Sequence, residues 1–224
     1  MVFPVVGGRD PSEGYDVSRS LRYYASDQFE SFTPSSASNR RTWTWSGWIK
    51  NTESSNGNAF NLFGAGADVN NRAHIDWNTN GTFQVEAKSG GSTQLKHEGS
   101  TNVSDPNAWY HVVWRLDTTD GTAANRSRVY INNVQVVFSS LGATPSQNDD
   151  LAVNNNVIHV LGKRSYVDQN YFGGYLCEVH FTDGTSYAPT AFAKTDTNGV
   201  WVPIDCKDDL SYGTNGYYLE FKQT

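Results

Sequence analysis

The strongest constraint on this chain is a period of two. From Arg41 onward, apolar and polar residues alternate in short runs, and each run stops at a turn signal such as Asn-Gly, Asn-Asn or Asp-Gly. Alternation puts successive side chains on opposite faces of an extended strand, whereas an amphipathic helix repeats its apolar residues every three to four positions. The pattern therefore specifies antiparallel sheets. In RTWTWSGWIK, Trp43, Trp45, Gly47 and Ile49 share the face expected to be core, while Thr42, Thr44, Ser46, Trp48 and Lys50 share the other. A ring as large as Trp48 needs cover, which predicts a further layer on that side.

The same rhythm recurs to the end of the chain. AHIDWNTNGTFQVEA reads as a hairpin around Asn80-Gly81, with Ile75 and Trp77 answering Phe83, Val85 and Ala87. WYHVVWRLD aligns Tyr110, Val112, Trp114 and Leu116, and Asn132-Asn133 between Ile131 and Val134 suits the positive φ angles of a two-residue turn. NNVIHVLGK and YFGGYLCEVHFTDG supply further strands, and GYYLEFKQT places Tyr217, Leu219 and Phe221 on one side. Only APTAFAKTD offers a turn or two of helix. The expected fold is all-β, a two-sheet antiparallel sandwich forming one domain over residues 19–224, a length that a single core accommodates. Met1–Ser18 lacks the rhythm and reads as an extended arm. Its Val2, Phe3, Pro4, Val5 and Val6 need cover from the domain or from a neighbour.

Composition removes several functions. With 18% charged residues, a net charge of −6 and a pI near 5.3, the chain offers no basic field for a phosphate backbone, so nucleic acid is not an expected partner. The first residues are too short to span a bilayer and lack a basic region and a cleavage site, so neither signal peptide nor membrane anchor is expected. The triplets at Asn80, Asn102 and Asn125 match the glycosylation pattern as an Asn-rich chain does by chance. Cys177 and Cys206 cannot form a disulfide framework or a four-ligand zinc site; they read as small buried hydrophobes, with Cys177 inward beside Val179 and Phe181. Whether they bond to each other is open at this stage.

YFGGYLCEVHFTDG brings an acid and a histidine close together. Glu178, His180 and Thr182 alternate onto one face, an acceptable base and orienter, yet no nucleophile stands beside them, and the pair reads as a solvated polar face. Asp183-Gly184 reads as a turn. Glycoside hydrolysis needs two carboxyls about the scissile bond, but Glu13, Glu30, Glu53, Glu86, Glu98, Glu178 and Glu220 are scattered singly. No cofactor is expected. The five histidines lack metal-ligand spacing, while calcium could use Asp117 and Asp120 in LDTTDG, or Asp149 and Asp150 in QNDDL, although acidic turns explain both. A sugar site needs a ring face beside amides and carboxylates. DWNTNG offers Asp76, Trp77 and Asn78, and YVDQNYF offers Asp168, Asn170 and Tyr171.

The stretches SLRYYASDQFESFTPSSASNRRTWTWSGWIK, WYHVVWRLD, VYINN, YFGGYLCEVHFTDG and GTNGYYLEF resemble the concanavalin A-like, laminin G-type jelly-roll domains of tailed-phage structural proteins, marine and cyanobacterial phages above all. The resemblance runs from about Ser20 to the C-terminus. It implies a non-enzymatic particle protein on the virion surface, a capsid decoration or head-fibre or spike, partnered by capsid or other virion proteins and by a cell-surface glycan. A homo-oligomer is expected, with a trimer favoured. A free-standing carbohydrate-binding module and a polysaccharide-cleaving enzyme are the alternatives.

Overall fold

The computed structural model describes residues 15–52, 59–103, 105–106 and 108–222. Among these the strands run β1 (Leu21–Tyr23), β2 (Glu30–Phe32), β3 (Thr42–Asn51), β4 (Phe60–Asp68), β5 (Asn71–Trp77), β6 (Phe83–Ser89), β7 (Ser92–Gly99) and β8 (Tyr110–Asp117). They continue as β9 (Ser127–Ile131), β10 (Val134–Gln135), β11 (Phe138–Ala143), β12 (His159–Leu161), β13 (Gly174–Asp183), β14 (Ala193–Thr195), β15 (Trp201–Pro203) and β16 (Tyr217–Leu219). Two seven-stranded antiparallel sheets form a sandwich. Sheet A has the order β1-β13-β3-β8-β9-β10, with β16 also on β13, and sheet B the order β11-β7-β6-β5-β4-β12-β2. No helix among the described residues is long and apolar enough to cross a membrane.

The core follows from the alternation. Trp43, Trp45 and Ile49 on β3 meet Val112, Trp114 and Leu116 on β8 and Phe63 on β4, all fully buried. Trp43 and Trp114 pack edge to face at 4.7 Å, and Trp45 stacks on Phe63 at 5.9 Å, geometries that suit the ring quadrupoles. The hairpin register is as expected, with Ile75 opposite Val85 and Trp77 opposite Phe83. Asn132 and Asn133 turn the next hairpin at φ 47° and 68°.

Trp48 is covered. A second layer made of the β14–β15 hairpin, the short 3-10 turn Pro189–Ala191 and the segment that follows lies on the outer face of sheet A. Trp48 sits there with Val17, Cys177 and Ala193. Val17 therefore belongs to the packed domain, and Tyr15 packs beside it; Val2, Phe3, Pro4, Val5 and Val6 lie outside the described residues.

Two irregularities redirect side chains. In β13, Trp48 pairs with Cys177 and Ser46 with His180, so Glu178 and Val179 together face Gly47. Glu178 takes φ 48° to make this bulge, a left-handed conformation that a non-glycine residue rarely adopts. The extra residue shifts the parity. Val179 and Phe181 enter the main core, whereas Cys177 lies with Trp48 on the opposite face, which corrects the expectation that all three point inward together. In the edge strand β11 the register slips twice, at Ser139 and Gly142.

Asp183 does more than open a turn. Its buried carboxylate accepts from the backbone N–H groups of Asn39, Thr214 and Asn215 and from Asn154 Nδ2, at 3.0–3.2 Å. It ties the approach to β3, the loop before β12 and the approach to β16 to the end of β13.

Candidate functional site

The β13 groups that resemble a catalytic pair are sealed. Glu178 and His180 are 4% and 2% exposed beneath the second layer, correcting the expectation of a solvated face. Tyr218 donates to Glu178 Oε2 at 2.8 Å, and burial raises the Glu178 pKa. His180 stacks on Tyr218 at 4.4 Å with Nδ1 2.8 Å from the Tyr212 hydroxyl, and burial lowers its pKa to about 3. Cys206 Sγ lies 3.9 Å from His180 Nε2, but burial pushes its thiol up to about 12, so no thiolate is available. Cys177 and Cys206 are both free.

A Ser-His pair in the same region is excluded by its tautomer. Trp201 Nε1–H can only donate, and it lies 3.1 Å from His111 Nδ1, which must accept. The ring proton of neutral His111 is then on Nε2, donating to Ser46 Oγ at 2.8 Å. His111 holds no lone pair toward Ser46 with which to take its proton.

The outer face of sheet B carries a charged row from β5. Arg72, His74 and Asp76 alternate outward and are all nearly buried. Asp76 accepts from Arg164 Nη2 at 2.6 Å and Asn61 Nδ2 at 2.8 Å, while Arg72 Nη2 reaches Glu86 Oε1 at 2.5 Å and its guanidinium lies over Tyr166. Each carboxylate is thus occupied by an arginine. Asp76 is 1% exposed, and Trp77, at 2%, is stacked on Phe83 with Tyr110 against its edge. Neither can meet a sugar, which corrects two of the six expected contacts. Asn78 closes the hairpin, with its backbone N–H donating to the Thr82 carbonyl and Nδ2 to Thr82 Oγ1.

The other three converge. Loop 163–171 is anchored over sheet B by the Arg164–Asp76 ion pair, and its far end forms a polar hollow of about 360 Å³ with Asp168, Gln169, Asn170 and Tyr171 on one wall. Ala25, Ser26, Ala59 and Phe60 complete it. Lys163 Nζ holds Asp168 at 2.5 Å, and this bond, aided by one from Tyr171, keeps the Asp168 pKa below the usual carboxylate value. Asn170, at φ 60°, donates from Nδ2 to the Ala59 carbonyl at 2.7 Å and accepts from the Asn61 N–H at 2.9 Å. The hollow therefore has fixed walls. Gln169 was within reach of the sequence reading, being inside YVDQNYF. Ser26 has no local signal, because the fold alone brings it beside residues more than 140 positions away.

The calcium candidates are turn acceptors. Asp117 accepts from the Thr119 N–H and Oγ1, Asp120 from the Thr122 N–H, Asp149 from the Ser146 N–H, and Asp150 pairs with Arg41. Among the described residues no three His, Cys, Asp or Glu side chains are grouped to hold a metal. Each of these carboxylates is engaged by a turn donor or an arginine. Chelator treatment is expected to leave the melting temperature unchanged by calorimetry; a drop reversed by calcium would contradict this.

Comparison with known proteins agrees with this architecture. The family profile described as the concanavalin A-like lectin/glucanases superfamily matches residues 25–189, so the chain belongs to that superfamily. No curated protein matches the chain. Among solved structures it is similar to the native heptameric SAP-like pentraxin from Limulus polyphemus, at 14% identity, 92% coverage of this chain and 94% of that one, with a TM-score of 0.53. It is also similar to domains LG4-5 of the mouse laminin α1 chain, at 12% identity, 81% and 46% coverage, and a TM-score of 0.54. A Trypanosoma rangeli sialidase in complex with sialic acid aligns at 12% identity, 76% and 26% coverage, and a TM-score of 0.51. The chain spans about half of the laminin chain and a quarter of the sialidase. Likeness at these identities is likeness of fold.

Proposed function

We propose that this chain is a non-enzymatic glycan-binding surface module of a phage particle, a capsid decoration or head-fibre or spike protein assembled as a homo-oligomer. The observation that carries the glycan reading is the convergence of Asp168, Gln169, Asn170, Tyr171 and Ser26 on one hollow. A carboxylate, two amides and a hydroxyl read sugar hydroxyls, and the Tyr171 ring supplies a face for a pyranose. The superfamily joins lectins with glucanases, so the fold permits both and the site must decide. Support for binding without cleavage comes from the sealed Glu178–His180 pair, the His111 tautomer and the arginine-held Asp76 and Glu86.

The particle reading is supported by the sequence resemblance and by the stiff, low-charge sandwich. Mass spectrometry of purified particles tests it, and absence of the chain from them would overturn it. On a glycan array, Tyr171→Ala and Asp168→Ala are each expected to lower binding about tenfold, as loss of one well-placed contact does, with folding unchanged. Full binding by the double variant would remove this hollow from consideration. Release of reducing ends from a polysaccharide panel would overturn the non-enzymatic reading.

A further inference from the structure

At one open edge of the sandwich, an apolar groove of about 480 Å³ lies between β2 and β16. Its walls include Phe32, Pro34, Val160, Leu161, Tyr217 and Leu219. Among the described residues both flanking strands are edges, β2 pairing only with β12 and β16 only with β13. Within the described residues each keeps one side of its backbone without a strand partner, so an apolar extended segment fits here by strand addition together with side-chain burial.

Tyr15 packs on β16, one wall of this groove. The Tyr15 hydroxyl lies 3.1 Å from that of Tyr218, the residue between wall residues Tyr217 and Leu219. Side chains alternate across a strand, so Tyr15 sits on the side of β16 away from the groove, fixed by the burial of Val17 against Trp48, Cys177 and Ala193. Before it stand fourteen residues, MVFPVVGGRDPSEG. The stretch Gly7–Gly14 can extend at most about 26–29 Å, against roughly 10 Å between packed sheets. Tyr15 thus lies on the face of β16 opposite the groove, and the length of Gly7–Gly14 gives Val2–Val6 reach enough for a neighbour's groove.

We propose that Val2–Val6 of one copy fills the β2–β16 groove of a second copy, so that exchanged arms hold a closed homo-oligomer. Exchange of an identical element is a low-cost route to such assemblies, and burial of one Phe and three Val side chains supplies its driving force. The proposal stands independently of glycan binding.

Light scattering on the full chain, from about 1 to 100 μM, reads the mass over a range where such contacts dissociate. Two variants test the contact from both sides: one with Val2, Phe3, Val5 and Val6 all changed to Ser, and Ser31→Arg, a charged block at an exposed groove position. Each should raise the half-assembly concentration at least about tenfold. Mixing them should produce dimers that neither forms alone, because one retains a sound arm and the other a sound groove; misfolding cannot give that result. A monomeric full chain, or an oligomer that survives the arm substitutions, would overturn the proposal. So would a monomer whose β2 and β16 amides lose exchange protection when the arm is changed, since the groove would then hold its own arm.

Discussion

At pH 5 the domain is expected to have lost a large part of its stability. Burial lowers the pKa of His111 to about 3, of His159 to about 4 and of His180 to about 3, against about 6.5 in an unfolded chain. These groups fold neutral and take up protons on unfolding. Their stabilising contribution is complete above pH 6.5 and is lost as pH falls toward the folded values. At pH 5 each costs about 2 kcal/mol, and the three together about 6, a sum comparable with the 5–15 kcal/mol that holds a domain. His97, lowered to about 4, acts in the same direction, while Glu30 and Glu178, raised by burial, offset part of the loss. Melting followed by circular dichroism from pH 7.5 to 4.5 should fall by about 10–20 °C for a chain of this size. A flat profile would mean that the histidines are solvated.

Asp183→Ala should be the most damaging single change at a polar position. It strips the acceptor from three backbone N–H groups and the Asn154 amide at once, in a place where water reaches poorly. Leaving buried donors unpaired costs about 1–3 kcal/mol each. Allowing for relaxation, the loss should be about 3–5 kcal/mol, read as a lower urea midpoint with faster exchange in β16. Asp183→Asn keeps one acceptor and should fall between. Wild-type stability in the alanine variant would show that the carboxylate is not the tie it looks to be.

The core faces were legible because alternation needs no knowledge of partners. Trp43, Trp45 and Ile49, and Val112, Trp114 and Leu116, fall where a period of two puts them. The same rule failed at Cys177 because a bulge adds a residue without leaving a glycine or proline to mark it; Glu178 takes the positive φ itself. Trp77 illustrates another limit. The hairpin register already paired it with inward Phe83, and that reading outweighs its proximity to Asp76 and Asn78, which only resembled a sugar site. Loop 163–171 was readable as a polar-aromatic stretch, but its anchor on Asp76 lies 88 residues away, a contact that no local pattern encodes. Asp183 looked like an ordinary turn for the same reason: its partners come from three distant segments.

The double slip in β11 bears on how this edge of the sandwich avoids pairing with another chain. From Asn132 to Asn148 the chain carries no ionisable side chain, and Val134, Val137 and Leu141 stand exposed, so a straight border here would be an open invitation for copies to fuse into ribbons. Ser139 and Gly142 crumple that border instead, so its backbone groups no longer present the even row that a second strand would need in order to add on.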